Sequence, residues 1–286
     1  MDIAIVGAGI GGLTAAAALL RRGHRVRVYE QAAQLGEVGA GVQMSANAVK
    51  VLDHLGLRAR IEPTAVRPKA FEFRRFDTGE LLHRLPLGEP HEQRHGAPYF
   101  QIHRSDLHDA LQDAVRSIDA GAVVLDAKAV RIDEDAKRTT VHFEDGASAR
   151  AELLVGADGI KSAVRKHVIG GDRPIFTGQL AWRCTVPVSR VSPELRTDIV
   201  STIWCGPRNH AVTYYLRHGE LLNFVGCVER PAEEESWTAR RPWGRTRWAS
   251  SITSTTPTAC ARPFTSATSP SRATSGCIRT TRCTSR

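Results

Sequence analysis

The sequence predicts an α/β protein in which a parallel nucleotide-binding sheet is joined to an antiparallel one. Three observations carry this. A glycine turn links a strand to a helix at the N-terminus, and a second glycine-acid turn, GADGIKSAVR, stands far downstream at residues 156–165. After residue 176 the pattern changes to short strands with no helices between them.

Residues 2–6 form a short apolar run. Leu13, Ala16, Ala17 and Leu20 then share one helical face, and RVRVYE alternates to its end at Glu30. The turn between them, GAGIGG, sets Gly7, Ala8, Gly9 and Gly12 in G-x-G-x-x-G order. Gly7 permits the tight turn, Gly9 lets backbone amides approach a pyrophosphate at the positive helix end, and Gly12 lets the helix lie close to the sheet. Glu30 ends the second strand, where its carboxylate can accept both hydroxyls of a ribose. A merely tight strand-to-helix turn is the plain alternative, and the motif alone does not separate NAD from FAD.

Further along, a helix is expected at 46–55, closed by Gly56. RSDLHDALQDAVRS makes another, with Leu107, Ala110, Leu111 and Ala114 on one face. Strands follow near 122–125, 128–132 and 139–143. ELLVGADG then puts Asp158 and Gly159 at the end of an apolar strand, with Ser162 and Arg165 on the next short helix. Asp158 reads plainly as a cap for that helix. A second strand-end turn facing the same crevice also suits a long ligand, with a nucleotide at one end and a reactive ring at the other.

FEFRRF, DTGE and LLHRL read as a hairpin, and QLAWRCTV, DIVSTIW, AVTYYLR and LLNFVGCV as antiparallel strands. The chain therefore divides into a discontinuous nucleotide-binding domain, 1–67 and 99–174, and a second domain from 68–98 and 175–235. His210, just before AVTYYLR, and Tyr214 within it lie four apart in one strand and share a face with Val212 and Leu216.

The totals exclude several classes. The formal charge is +9, but residues 236–286 hold nine arginines and no acid, so thirty bases balance thirty acids before them. A nucleic-acid partner is not expected from a neutral body. Cys184, Cys205 and Cys227 are widely spaced and no C-x-x-C pair occurs, so reduced thiols in strands are expected and no metal site. No run of 18 apolar residues and no basic leader is present, so neither a transmembrane segment nor a signal peptide is expected, and the cytoplasm is the default location.

Together GAGIGG with Glu30, GEVGAGVQMSANAVKVLDHLGL, IHRSDLHDAL and GADGIKSAVR resemble the FAD-dependent aromatic-ring monooxygenases of the salicylate hydroxylase and 3-hydroxybenzoate 6-hydroxylase type. The resemblance runs to about residue 231. It implies a Rossmann-like FAD-binding domain with a parallel sheet, plus an antiparallel-sheet substrate domain. It also implies that the Asp158-Gly159 turn serves both resident FAD and visiting NADH or NADPH. Gly7, Ala8, Gly9 and Gly12 would hold the FAD pyrophosphate and Glu30 the adenosine ribose. Gly39, Ala40, Gly41 and Val42 would pass the flavin ring, where glycine allows close approach. Arg104 would reach the phosphate or ribityl region, although by itself it reads as a surface arginine. Gln31 follows the ribose acid where many members carry a base, so the choice of NADH or NADPH stays open. His210 and Tyr214 would face a small aromatic substrate, the imidazole taking the phenol proton; a strand-end His and a core Tyr are the plain alternatives. Trp182 and Arg183 are similar to a Tyr or Trp followed by Arg in the family, with core packing an equal reading for Trp182. The implied reaction is hydroxylation of an aromatic acid by O2.

Residues 238–286 are a different kind of sequence. Thr, Ser, Arg, Ala and Pro fill 39 of 49 positions, and Leu, Val, Asp, Glu, Lys, Asn and Gln are absent. The expectation is a disordered basic tail, natural or read out of frame. The Gly-Asp-Ala-Ala-His motif of the family does not follow residue 231. A crippled hydroxylase is therefore expected. An epoxidase or reductase on the same scaffold, or a dinucleotide-binding remnant without turnover, are the alternatives.

Overall fold

The computed structural model describes residues 1–36, 40–171, 174–229 and 278–284. The chain opens with β1 (Asp2–Val6), α1 (Ile10–Arg21) and β2 (Arg25–Tyr29). Next come β3 (Gly41–Met44), α2 (Ala46–His54), α3 (Arg58–Ile61), the hairpin β4 (Ala70–Arg75) and β5 (Leu81–Pro86), and α4 (Glu89–His95). β6 (Phe100–His103) runs directly into α5 (Arg104–Ile118). Short strands β7 (Val123–Val124), β8 (Ala129–Glu134), β9 (Thr139–Phe143), β10 (Ser148–Ala151) and β11 (Leu153–Gly156) lead to α6 (Ala163–Ile169). The long strand β12 (Ile175–Pro187) is followed by β13 (Ser201–Gly206), β14 (Asn209–Leu216), β15 (Leu221–Glu229) and finally β16 (Ile278–Thr284).

β1 lies inside a parallel sheet of order β11-β1-β2-β7. Its apolar run is buried because both faces are covered, as parallel sheets require. The small stripe Gly12, Leu13, Ala16, Ala17 and Leu20 of α1 packs against α5, whose Leu107, Ala110, Leu111 and Val115 are also buried. Ile5, Leu13, Leu107, Leu111, Phe100 and Ile102 are fully enclosed in this core, each such side chain contributing about 1.5–3 kcal/mol by burial. β10-β9-β8 form a small antiparallel sheet. Its Val141, Phe143 and Ile132 pack with Val6 and Val164, and the Phe143 ring lies 4.8 Å from that of Tyr29.

The large sheet has the order β16-β12-β15-β14-β13-β4-β5 and is antiparallel except where β13 meets β4. The hairpin read from FEFRRF-DTGE-LLHRL thus joins the strands that follow residue 175. The ribbon β3-β6, which pairs Gly41 with His103 and Met44 with Phe100, has no alternating pattern to announce it. Cys184, Cys205 and Cys227 lie on β12, β13 and β15, the last of them buried. Among the described residues no helix is long and apolar enough to cross a membrane.

One stretch of the tail lies among the described residues. Ile278–Thr284 pairs along the outer edge of β12, from Ile175↔Thr284 to Arg183↔Ile278, with a bulge between. A strand edge carries a row of unpaired backbone groups, and Ile, Thr and Cys suit an extended chain, so this stretch of a poor sequence can add a strand. Residues 230–277, 285 and 286 lie outside the described residues.

Candidate cofactor and substrate site

The glycine turn is built by close packing of backbone on backbone. Gly7 has φ +101°, and a Cβ there would stand 2.4 Å from the Ala157 carbonyl oxygen. A Cβ on Gly12 would stand 1.9 Å from the carbonyl oxygen of Gly7. At Gly9, by contrast, nothing lies within 4 Å. α1 starts there without a side-chain cap, so its first amides face open space. That uncapped, unobstructed helix end suits a dinucleotide pyrophosphate. Ala8 is gripped from both sides: its N–H donates to Glu30 Oε2 at 2.8 Å, and its carbonyl lies 2.8 Å from His108 Nε2. The Ala32 N–H donates to Glu30 Oε1 at 3.0 Å. Because a carbonyl only accepts, His108 must carry its proton on Nε2. Its Nδ1 is buried and unpartnered among the described residues. The sequence alone does not mark His108 as a site residue. Its signal is a histidine beside Leu107 on the apolar side of the helix.

The second turn meets the first directly, since the Ala157 N–H donates to the Val6 carbonyl at 2.8 Å. Asp158 is fully engaged within it. Oδ2 accepts from the amides of Ala163 and Val164 at 2.7 and 3.2 Å, and Oδ1 from the Ser162 hydroxyl at 2.5 Å. Ser162 Oγ in turn accepts from the Arg165 N–H at 2.8 Å. The carboxylate therefore caps α6, the plain reading of this residue. Gly159, at φ +78°, turns the chain beside it, and both residues line a groove with Gly156, Ser162, Val164 and Arg165.

On the large sheet, His210 pairs with Cys227, Val212 with Val225 and Tyr214 with Asn223, while Arg183 pairs with Val225 from the other side. Register partners share a face. His210, Val212, Tyr214, Arg183 and Asn223 therefore stand together, with Trp182 on the opposite side. The Tyr214 end of this face meets β3. A Cβ on Gly41 would stand 2.5 Å from the Tyr214 ring, so only glycine fits. The Gly41 N–H donates to Asn223 Oδ1 at 2.8 Å, and the Arg104 N–H, first in α5, donates to the Ala40 carbonyl at 3.1 Å. Val42 pairs with Ile102, and Gly39 lies outside the described residues. Burial pushes the Tyr214 phenol up, opposed by the Arg183 cation and reinforced by Tyr99, which burial itself raises to about 12. Tyr214 is thus a protonated phenol at neutral pH.

Asp106 and Arg217 form a second tie between these regions, also unmarked in the sequence. Arg217 Nε and Nη2 donate to the two carboxylate oxygens of Asp106 at 3.0 and 2.6 Å. Arg217, His218 and Gly219 all have positive φ, so the tip of the β14-β15 hairpin is a left-handed turn held against α5. Burial alone would raise the Asp106 carboxyl, but Arg217 outweighs it and holds it below the usual carboxylate range. A depressed folded pKa contributes stability above the unfolded value of about 4 and loses it as pH falls through the folded value. Asp106→Asn should therefore cost about 1–2 kcal/mol at neutral pH, discounted for the half-exposed guanidinium, and less in acid. Urea unfolding at neutral and acidic pH checks this, and an equal loss at both would assign the pair no electrostatic weight.

Known proteins are similar to this chain in sequence and fold. The chain is 42% identical over 231 residues to the 3-amino-4-hydroxybenzoate 2-monooxygenase of Streptomyces cremeus, covering 81% of this chain and 57% of that protein. It is 38% identical over 237 residues to the 3-hydroxybenzoate 6-hydroxylase of Polaromonas naphthalenivorans (strain CJ2), covering 83% and 58%. The chain therefore spans less than two thirds of the length of these relatives. The crystal structure of Klebsiella pneumoniae HpxO complexed with FAD and uric acid superposes with a TM-score of 0.73 at 29% identity, over 82% of this chain and 58% of that one. The profile of the FAD binding domain family matches residues 1–274, taking in both glycine turns and the whole sheet face described above. Matched by this family over nearly its whole length, the chain belongs to the FAD binding domain family.

Proposed function

We propose that this chain supplies the FAD and substrate sites of an NADH- or NADPH-using monooxygenase that hydroxylates an aromatic acid, such as a hydroxybenzoate or salicylate, with O2. A cytoplasmic setting fits this chemistry. The observation that carries the reading is the Tyr214-Gly41 contact, which joins the face bearing His210 to the loop that leads toward the cofactor turn. The names of the two relatives, both acting on hydroxybenzoates, support the substrate class.

In this reading Gly7, Ala8, Gly9 and Gly12 hold the pyrophosphate and Glu30 the adenosine ribose, while Arg104 approaches the phosphate or ribityl chain. Gly41 and Val42 line the flavin. Asp158 acts by shaping its turn, with Gly159 offering backbone there, because its carboxylate is already committed to α6. FAD, when bound, supplies the electron transfer and the activation of oxygen. The protein orients the aromatic ring, excludes water, and moves one proton: His210 accepts it from the substrate phenol, which makes the ring more nucleophilic. Tyr214, kept protonated by burial, serves as a wall and hydrogen-bond donor, and Arg183 on the same face provides positive charge for a carboxylate. The two bodies are 1–67 with 99–174, and 68–98 with 175–235, a partition supported by the hairpin β4-β5 joining the large sheet.

Fluorescence titration tests the cofactor directly. The purified chain should quench FAD fluorescence saturably, and adding 3-hydroxybenzoate should then perturb the flavin absorbance. Tight binding of NAD with none of FAD would sink the reading.

A further inference from the structure

Asn223 stands in the apolar strand LLNFVGCV and is fully buried. A carboxamide there is more costly than the leucine or valine its neighbours lead one to expect, unless both of its ends are bonded. Only one end is. Oδ1 accepts from the Gly41 N–H at 2.8 Å, while Nδ2 is buried and has no partner among the described residues. Where a chain keeps an unfavourable group, a compensating task is expected at that place.

The surroundings identify the task. Asn223 is the register partner of Tyr214, whose ring fills the space a Gly41 side chain would need. The neighbouring Ala40 carbonyl accepts from the Arg104 N–H at 3.1 Å. Ala40-Gly41 is therefore a piece of bare backbone caught between α5 and the sheet, and Asn223 supplies the side-chain hydrogen bond that holds the Gly41 amide to the sheet.

We propose that Asn223 is a positioning residue: by holding the Gly41 amide it sets the loop entering β3 in register with the face that carries Tyr214 and His210, and so tunes the fit of the cofactor. The second half of this statement rests on the FAD reading above; the first does not.

Two variants and two readouts test it. In Asn223→Leu the apolar volume is kept and the acceptor lost, whereas in Asn223→Asp an acceptor oxygen remains. Hydrogen exchange on the chain without cofactor should show the Gly41 amide exchanging about tenfold faster in Asn223→Leu, with the Val212 and Val225 amides unchanged. In Asn223→Asp its protection should be retained. The FAD dissociation constant should rise about tenfold in Asn223→Leu and recover in Asn223→Asp. If Asn223→Leu does not fold, Asn223→Ser, too short to reach Gly41, replaces it. Unchanged Gly41 exchange, or equal acceleration across β14 and β15, would overturn the proposal. A faster Gly41 amide with unchanged FAD affinity would likewise reduce Asn223 to a structural role. Should the unsubstituted chain bind no FAD, the functional reading fails, and exchange alone decides whether Asn223 positions the loop.

Discussion

Replacing Gly12 with alanine is expected to abolish FAD binding and to destabilise the chain by about 3 kcal/mol. The new Cβ would stand 1.9 Å from the Gly7 carbonyl oxygen and 3.3 Å from the Ala157 Cβ. Neither neighbour can retreat cheaply. Gly7 is itself pressed to within 2.4 Å of the Ala157 carbonyl, as measured from a Cβ it does not have, and the Ala157 amide is bonded to Val6. α1 would have to move off the sheet, taking its uncapped end away from the proposed pyrophosphate position. Gly9→Ala is the control, because its Cβ meets nothing within 4 Å in the protein. It should leave the unfolding midpoint nearly unchanged yet weaken FAD binding, since the open space there is the space a ligand needs. Thermal melts and FAD titration of the two variants separate packing from binding. Equal effects on both measurements in both variants would contradict this division of labour.

The second large effect concerns His210. In a turnover-competent form of the protein, His210→Ala should slow hydroxylation about 100-fold while leaving flavin reduction by NAD(P)H nearly intact. The imidazole shares its face with Val212 and Tyr214, and burial pushes the Tyr214 phenol up and keeps it protonated, so the tyrosine is not the group that takes the proton. Stopped-flow measurement of the two half-reactions reads the two rates separately. Equal loss in both would make His210 a structural residue of the strand.

Much of this is legible in the sequence alone. The apolar run of β1, the spacing of Leu13, Ala16, Ala17 and Leu20, and the glycines before them report local rules: strand alternation, helix period and the left-handed backbone of a tight turn. These rules act within a few residues, so one sequence suffices to read them. The shared face of His210 and Tyr214 is of the same kind, because alternation along a strand is local.

The remaining site residues depend on contacts across long stretches of chain. Asn223 lies 182 residues from the Gly41 amide it holds, Arg217 lies 111 from Asp106, and His108 lies 100 from Ala8. A buried Asn in an apolar strand or a His on an apolar helix face shows in the sequence only as an anomaly, since the partner that explains it is chosen by packing. The same holds for β3 and β6, whose pairing follows from how α5 docks, and for β16, which takes the edge that β12 happens to leave open. Asp158 shows the division within one residue. Its place at a strand end and its capping of α6 are local and legible in the sequence, Oδ2 accepting from the amides of Ala163 and Val164 only five and six residues on, whereas the packing of its turn against Gly7 was decided by tertiary structure, because Ala157 and Gly7 are brought together only by the pairing of β11 with β1.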